Sequence, residues 1–199
     1  MAKVGEDSAA TRRAILDATV RIMLDEGYAA VSSRRVAREA GLKSQLVYYH
    51  FGTMDELFLA VFHREEGRFL EAHAKAFASK TPLRALWQLT SGPSAAALSF
   101  EFLALSNHRK IIQTEIARST ERVRRLQAAF MARYLGEGDR TPKEISPELL
   151  SFLLITVSRG LVSEAAVGVD LAHDAAFAAV ERWLQALEGE APAVVDERA

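Results

Sequence analysis

From Ile15 to Leu187 the apolar residues of this chain recur three and four positions apart, and nowhere do they alternate over the length of a strand. That period is helical. Side chains at i, i+3 and i+4 share one face of an α-helix, whereas a half-buried strand needs a period of two. Such a chain has only helices from which to build a core, so the expected class is all-α. At 199 residues it is long enough for one large domain or two small ones.

Glycine, proline and small polar residues mark where the helices stop. Ser8 is the expected cap of a first helix with the stripe Ile15, Thr19, Ile22 and Met23, ended by Gly27 in the left-handed position. Ser32 caps a short second helix carrying Val36, Ala37 and Ala40, and Gly41 stops it. A third short helix runs from Lys43 or Ser44 to about His50. A fourth runs from Met54 to about Phe77, with Asp55 and Glu56 at the positive end of its dipole. Pro82 sits in the first turn of the next helix. The apolar segment holding Phe100, Phe102 and Leu103 is expected to be buried on most sides. A long helix follows from about Arg109 to Leu135, then a loop over 136–147, two further helices and a frayed tail.

The stretch Ala37–Phe51, AREAGLKSQLVYYHF, is the most informative. Two short helices joined by a tight glycine turn describe a helix-turn-helix. Ala37 is small enough for close packing, and Val47 and Phe51, four apart, share the buried face. Ser44, Gln45, Leu46, Tyr48 and Tyr49 are left on or near the open faces, more polar and aromatic groups than a core requires. Laid in a major groove, Gln45 can pair with adenine and Leu46 can touch a thymine methyl. Tyr48, Tyr49 and His50 can donate to phosphates. Arg34 can reach a phosphate or a guanine, and Lys43 adds charge beside the groove. Taken singly, Tyr48 can instead be half-buried against the first helix and His50 can be a core histidine.

Charge agrees with that end of the chain meeting a polyanion. The net charge is −1, but residues 137–199 carry five Lys/Arg against twelve Asp/Glu, while residues 1–136 are net positive. Across residues 30–50, Arg34, Arg35, Arg38 and Lys43 face only Glu39.

The segment TRRAILDATVRIMLDEGYAAVSSRRVAREAGLKSQLVYYHFGTMDELFLAVF resembles the DNA-binding domain of tetracycline-repressor (TetR) family transcriptional regulators. The landmarks are AILDA, the EGY helix end, VAREAG, and VYYHF followed by DEL. The resemblance spans Thr11 to about Phe62. It implies an all-α homodimer, with an N-terminal three-helix helix-turn-helix DNA-binding domain (1–53), a C-terminal helical ligand-binding and dimerisation domain (54–188) and a tail (189–199). The family's DNA contacts carry over to Ser32, Arg34, Lys43, Gln45, Tyr48, Tyr49 and His50. Three positions depart from the family pattern. Lys43 replaces a common serine, which moves the helix cap to Ser44. Leu46 is larger than usual, and Met54 stands where a lysine often touches phosphate. The implied function is a ligand-responsive, sequence-specific regulator, by family habit a repressor, binding a palindromic operator in double-stranded DNA.

One helix-turn-helix reads few base pairs, so two must be joined on a twofold axis. Leu149, Leu153, Val157, Leu161, Phe177, Val180 and Leu184 offer more apolar stripe than one bundle face needs, and Gly160, Ala165, Ala166 and Gly168 permit close helix contact. These are the expected dimer residues; an internal core is the alternative. Trp87, Phe100, Leu103, Phe130, Met131 and Phe152 are the candidate pocket for a small apolar or aromatic effector, with Gln88, Asn107, His108 and Gln127 as possible polar groups. Plain core is the competing reading for each.

The chain has no cysteine, no two-histidine zinc motif, no nucleophile elbow and no glycine-rich phosphate loop. No enzyme, metal or cofactor is expected. Nor is a membrane span, because no run of about 18 uninterrupted apolar residues occurs. The expected location is the cytoplasm. A helical scaffold that has lost DNA binding is the remaining alternative.

Overall fold

The computed structural model describes residues 2–137 and 145–188, with the side chains of 7–92, 97–136 and 145–188. Most of the expected loop and all of the expected tail lie outside these residues. The described residues form helices α1 (Ala2–Glu26), α2 (Ser33–Ala40), α3 (Ser44–Phe51), α4 (Met54–Phe77), α5 (Pro82–Ser91), α6 (Pro93–Ser106), α7 (Lys110–Glu137), α8 (Pro147–Ala166) and α9 (His173–Glu188), with a 3₁₀ turn at Tyr28–Ala30. Among them there is no strand. The all-α expectation holds.

Contacts group the described chain into two compact units. The first comprises the residues up to Arg68 together with Ala97–Ser119, and the second Phe69–Ala96 together with the described residues from Thr120 on. In the first unit the α1 stripe of Ile15, Thr19, Ile22 and Met23 is fully buried. It packs with Val36 and Ala37 of α2, Val47 and Phe51 of α3, and Leu57, Phe58 and Val61 of α4. Phe102, Leu105 and Ile112, from α6 and α7, complete that core. In the second unit Trp87 lies among Leu83, Leu86, Met131, Leu135, Leu150, Leu154 and Leu184. Pro82 occupies the first turn of α5, where its missing amide proton has no helical partner to lose.

Several local expectations need correction. Ser8 caps nothing: α1 already runs from Ala2, so Ser8 lies within it. Gly27 does end α1, but at φ 82° and ψ 161°, an extended conformation with positive φ rather than the left-handed helical one. The residue opens a 3₁₀ turn, which a plain helix cap would not. Nor is α6 buried on most sides. Phe102 and Leu105 face inward, while Leu103 is 56% exposed. By length and composition α8 is apolar enough to cross a membrane, contrary to the reading from uninterrupted runs, and a third of that stretch (33%) is buried. Its Leu150 and Leu154 belong to the core of the second unit, so one side of α8 is a packed helix face.

Candidate nucleic-acid interface

Each turn around α2 and α3 has a local chemical cause. The Ser32 side chain accepts a hydrogen bond from the Arg35 amide at 3.2 Å, which caps α2. At the other end Gly41 adopts φ 69°, ψ 30°, a left-handed conformation that favours glycine. The Leu42 amide donates to the Ala37 carbonyl at 2.8 Å and the Gly41 amide to Arg38 at 3.3 Å. These two bonds form a Schellman motif, and Leu42 packs against the core as that motif requires. The backbone therefore turns sharply into α3. Lys43 stands at its N-cap with φ −80° and ψ 140°, and no side chain caps this helix. Ser44 is its first helical residue rather than its cap.

Val47 and Phe51, at 1% and 5% exposure, anchor α3 to the core. Each such side chain contributes about 1.5–3 kcal/mol by leaving water. At 100° per residue, Gln45 and Tyr49 lie opposite that pair. Both are exposed, Tyr49 at 79% and its neighbour Tyr48 at 50%. Leu46 and His50 sit on the flank, partly covered. The Tyr49 and His50 rings meet edge to face with centroids 5.1 Å apart. Tyr48 is thus half exposed, and His50, partly covered, is not a core histidine.

The basic residues divide into two groups. Arg35 turns inward and pairs with Glu26 and with Glu39, which also accepts from Arg21. Hydrogen bonds to Glu26, then Glu39, hold the Arg35 pKa above its ordinary value, and those from Arg35, then Arg21, hold Glu39 below its own. This cluster cancels its own charge. Arg34, Arg38 and Lys43 are exposed, and no ion pair among the described residues engages them. Three positive charges, two on α2 and one at the start of α3, therefore stand uncompensated. Ser32, also exposed, uses its hydroxyl oxygen as the acceptor of the cap, which leaves its O–H to donate elsewhere.

One feature escaped the sequence reading. Thr53 and Glu56 form a reciprocal capping box: the Thr53 hydroxyl accepts from the Glu56 amide at 3.1 Å, and the Glu56 carboxylate accepts from the Thr53 amide at 3.1 Å. The signal, TMDE, was present in the sequence. This box starts α4 two residues after α3 ends, through Gly52 at φ 66°. Met54, where a lysine was the family expectation, packs partly buried against the core.

The second unit holds the other candidates. Trp87 and Met131 are fully buried in one core, Phe130 is partly buried, and Phe152 is 43% exposed. Phe100 and Leu103 belong instead to the first unit. Leu149, Val157 and Phe177 expose 42%, 36% and 39% of their surface, and Leu153, Leu161 and Val180 are partly covered. Leu184 is fully buried, so it is core and cannot face another chain. A buried polar relay joins three helices of this unit. Ser151 donates to the Gln127 side-chain oxygen at 2.9 Å, and the Gln127 amide lies 2.9 Å from His73 Nε2. His73 Nδ1 lies 2.9 Å from the Phe69 carbonyl, whose oxygen accepts the hydrogen bond. Burial pushes the His73 pKa down, outweighing that hydrogen bond. No group of three or more His, Cys, Asp or Glu among the described residues is placed to hold a metal ion.

The sequence profile described as "Bacterial regulatory proteins, tetR family" matches residues 15–61. The HTH-type transcriptional repressor Rv1474c of Mycobacterium tuberculosis is 30% identical over 177 residues, covering 85% of this chain and 90% of that protein. The HTH-type transcriptional regulator BetI of Rhizobium meliloti is 34% identical over 83 residues, and there the chain spans only 40% of the relative's length. Among solved structures, a TetR transcription regulator from Haloarcula marismortui superposes with a TM-score of 0.73 at 20% identity, covering 89% of this chain and 98% of that one. A TetR-family regulator from a Rhodococcus species gives 0.75 at 17%, covering 90% and 100%. At those identities the two structures speak to the fold alone. The relatives are transcriptional regulators and not enzymes.

Proposed function

The chain belongs to the TetR family of bacterial regulatory proteins, and from that premise we propose that it is a ligand-responsive repressor binding a palindromic operator as a homodimer. The observation that carries this reading is the open face of α3, where Gln45 and Tyr49 stand opposite the buried Val47 and Phe51. Arg34 and Arg38 on α2 and Lys43 at the N-cap of α3 are exposed without ion-pair partners among the described residues. Gln45 reads a base edge. Tyr48, Tyr49, His50, Ser44 and the cations hold phosphates, and Leu46 covers a thymine methyl from the flank. Lys43, rather than the partly buried Met54, supplies the cation at this end of the duplex contact. Such a protein works in the compartment that holds DNA, the cytoplasm.

The outer faces of α8 and α9 are proposed as the surface that joins two copies. Leu149, Val157 and Phe177 support it, because they leave apolar surface exposed, with Leu153 and Val180 partly covered beside them, on helices that also pack into the core.

The effector is proposed to bind within the second unit. Support comes from polar groups set in an apolar core: the His73–Gln127–Ser151 relay, and the Trp87 indole N–H, which is buried without a hydrogen-bond partner. An unmet buried donor costs about 1–3 kcal/mol. A ligand acceptor at Trp87 relieves that cost in one conformation and so shifts the equilibrium, with coupling of about 1–3 kcal/mol to DNA affinity.

Selection of bound fragments from a random DNA pool tests the reading. The expected product is a palindrome whose half-sites are centred about 34–36 Å apart. Enrichment of no sequence, or of unpaired single sites, contradicts it.

A further inference from the structure

Glu101 lies on α6, and its carboxylate accepts a hydrogen bond at 2.6 Å from the backbone amide of Tyr28, 73 residues earlier in the chain. Tyr28 opens the 3₁₀ turn between α1 and α2. The first amides of any helical turn have no partner inside it, and the preceding residue usually supplies one from its side chain. Here that residue is Gly27, which has no side chain to offer. Glu101 fills the vacancy from another helix, with a charged acceptor that makes the stronger kind of hydrogen bond. Only Val31 separates the turn from Ser32, the cap of α2.

Neighbouring residues reinforce the same grip. The Tyr28 ring stacks on His108, between α6 and α7, with centroids 6.1 Å apart and planes 29° apart. Arg109 pairs with Asp55 in the first turn of α4, and its guanidinium lies over the Phe58 ring, 5.4 Å from the centroid. All these residues belong to the first unit. Residues 101–109 therefore hold the helix-turn-helix at its entrance, through Tyr28, and just beyond its exit, through Asp55.

We infer that Glu101 is a positioning residue for DNA recognition: by capping the Tyr28 turn it fixes the direction in which α2 leaves α1, and with it the angle at which α3 meets the groove. This rests on reading α2 and α3 as the DNA-contacting helices. Base contacts demand an exact approach, whereas phosphate contacts by flexible cations tolerate a few degrees of error. Loss of the clamp should therefore cost specific binding more than non-specific binding.

The test uses the full chain, operator DNA taken from pool selection, and the variants Glu101→Ala and Glu101→Gln. Affinities for operator and random DNA come from fluorescence anisotropy at fixed salt, and protection of the Tyr28 amide from hydrogen exchange. Glu101→Ala is expected to weaken operator binding about ten-fold, the scale of one charged hydrogen bond, and random-DNA binding less than about two-fold, with faster exchange at Tyr28. Glu101→Gln keeps an acceptor oxygen and is expected to recover most of the operator affinity. Wild-type operator affinity in Glu101→Ala overturns the inference, as does an equal loss on both DNAs or a Gln variant as weak as the Ala variant. A wild-type chain that enriches no DNA removes the underlying reading instead, and that failure appears before any substitution is made.

Discussion

Lys43 and Gln45 stand two positions apart at the start of α3, both exposed, and meet a duplex on different terms. A lysine neutralises a phosphate whatever the base. Lys43→Ala should weaken operator and random DNA about equally and lower the salt slope by about one. With Gln45 proposed to read a base edge, Gln45→Ala should cost about 1–3 kcal/mol on the operator and relax preference at one base pair. Equal losses on both DNAs from both variants would remove the role assigned to Gln45. His73 makes a separate prediction. Its folded pKa lies below the ordinary 6.5, so between the two values the unfolded chain binds more protons. The stability of the native state should accordingly fall as pH drops below about 6.5. Urea unfolding at pH 7 and pH 5 should show a larger loss for wild type than for His73→Asn, and parallel losses would show that His73 does not titrate as described. Val47 and Phe51 were legible from their spacing alone, and so was the exposure of Gln45 and Tyr49. The Glu101–Tyr28 bond was not, because nothing local links residues 73 apart.

The short helices depend on their ends more than on their length. An eight-residue helix is unstable in isolation. The caps and the anchors hold α2 and α3 in place. Gly41 at φ 69° should resist substitution: Gly41→Ala is expected to destabilise by about 1 kcal/mol or more, read from the urea midpoint. Thr53→Ala and Glu56→Ala should each cost about 0.5–2 kcal/mol, and the double variant less than their sum, because they break one reciprocal box. Full additivity would mean that the two bonds act independently. At this scale the sequence located α2 and α4 closely, where Ser32, Gly41 and the acidic first turn leave chemical marks. It failed at the start of α1, where Ser8 looks like a cap but the helix already runs from Ala2. It failed again at α6, where apolar residues on both faces conceal which side is inward.

At the scale of the molecule, the apolar outer faces of α8 and α9 separate one copy from two. Their sequence carries two neighbouring stripes on α8, Leu150 and Leu154 on one and Leu149, Leu153 and Val157 on the other, about 80° apart around the axis. Periodicity cannot say which stripe packs inside its own chain. Only the burial of Leu150 and Leu154 settles that, and it also assigned Leu184 to the core. Val157→Glu or Phe177→Glu should yield monomers by sedimentation at micromolar concentration while leaving helical content intact. Operator affinity should then fall to that of a single half-site. Dimers that persist in both variants would place the joining surface elsewhere. The most direct measurement for the whole account is the affinity of the wild-type protein for operator and random duplexes across a salt series. The prediction is operator binding at least about a thousand-fold tighter than random at physiological salt, with log affinity falling linearly in log salt on both. Equal affinity for the two duplexes, or binding indifferent to salt, would contradict it.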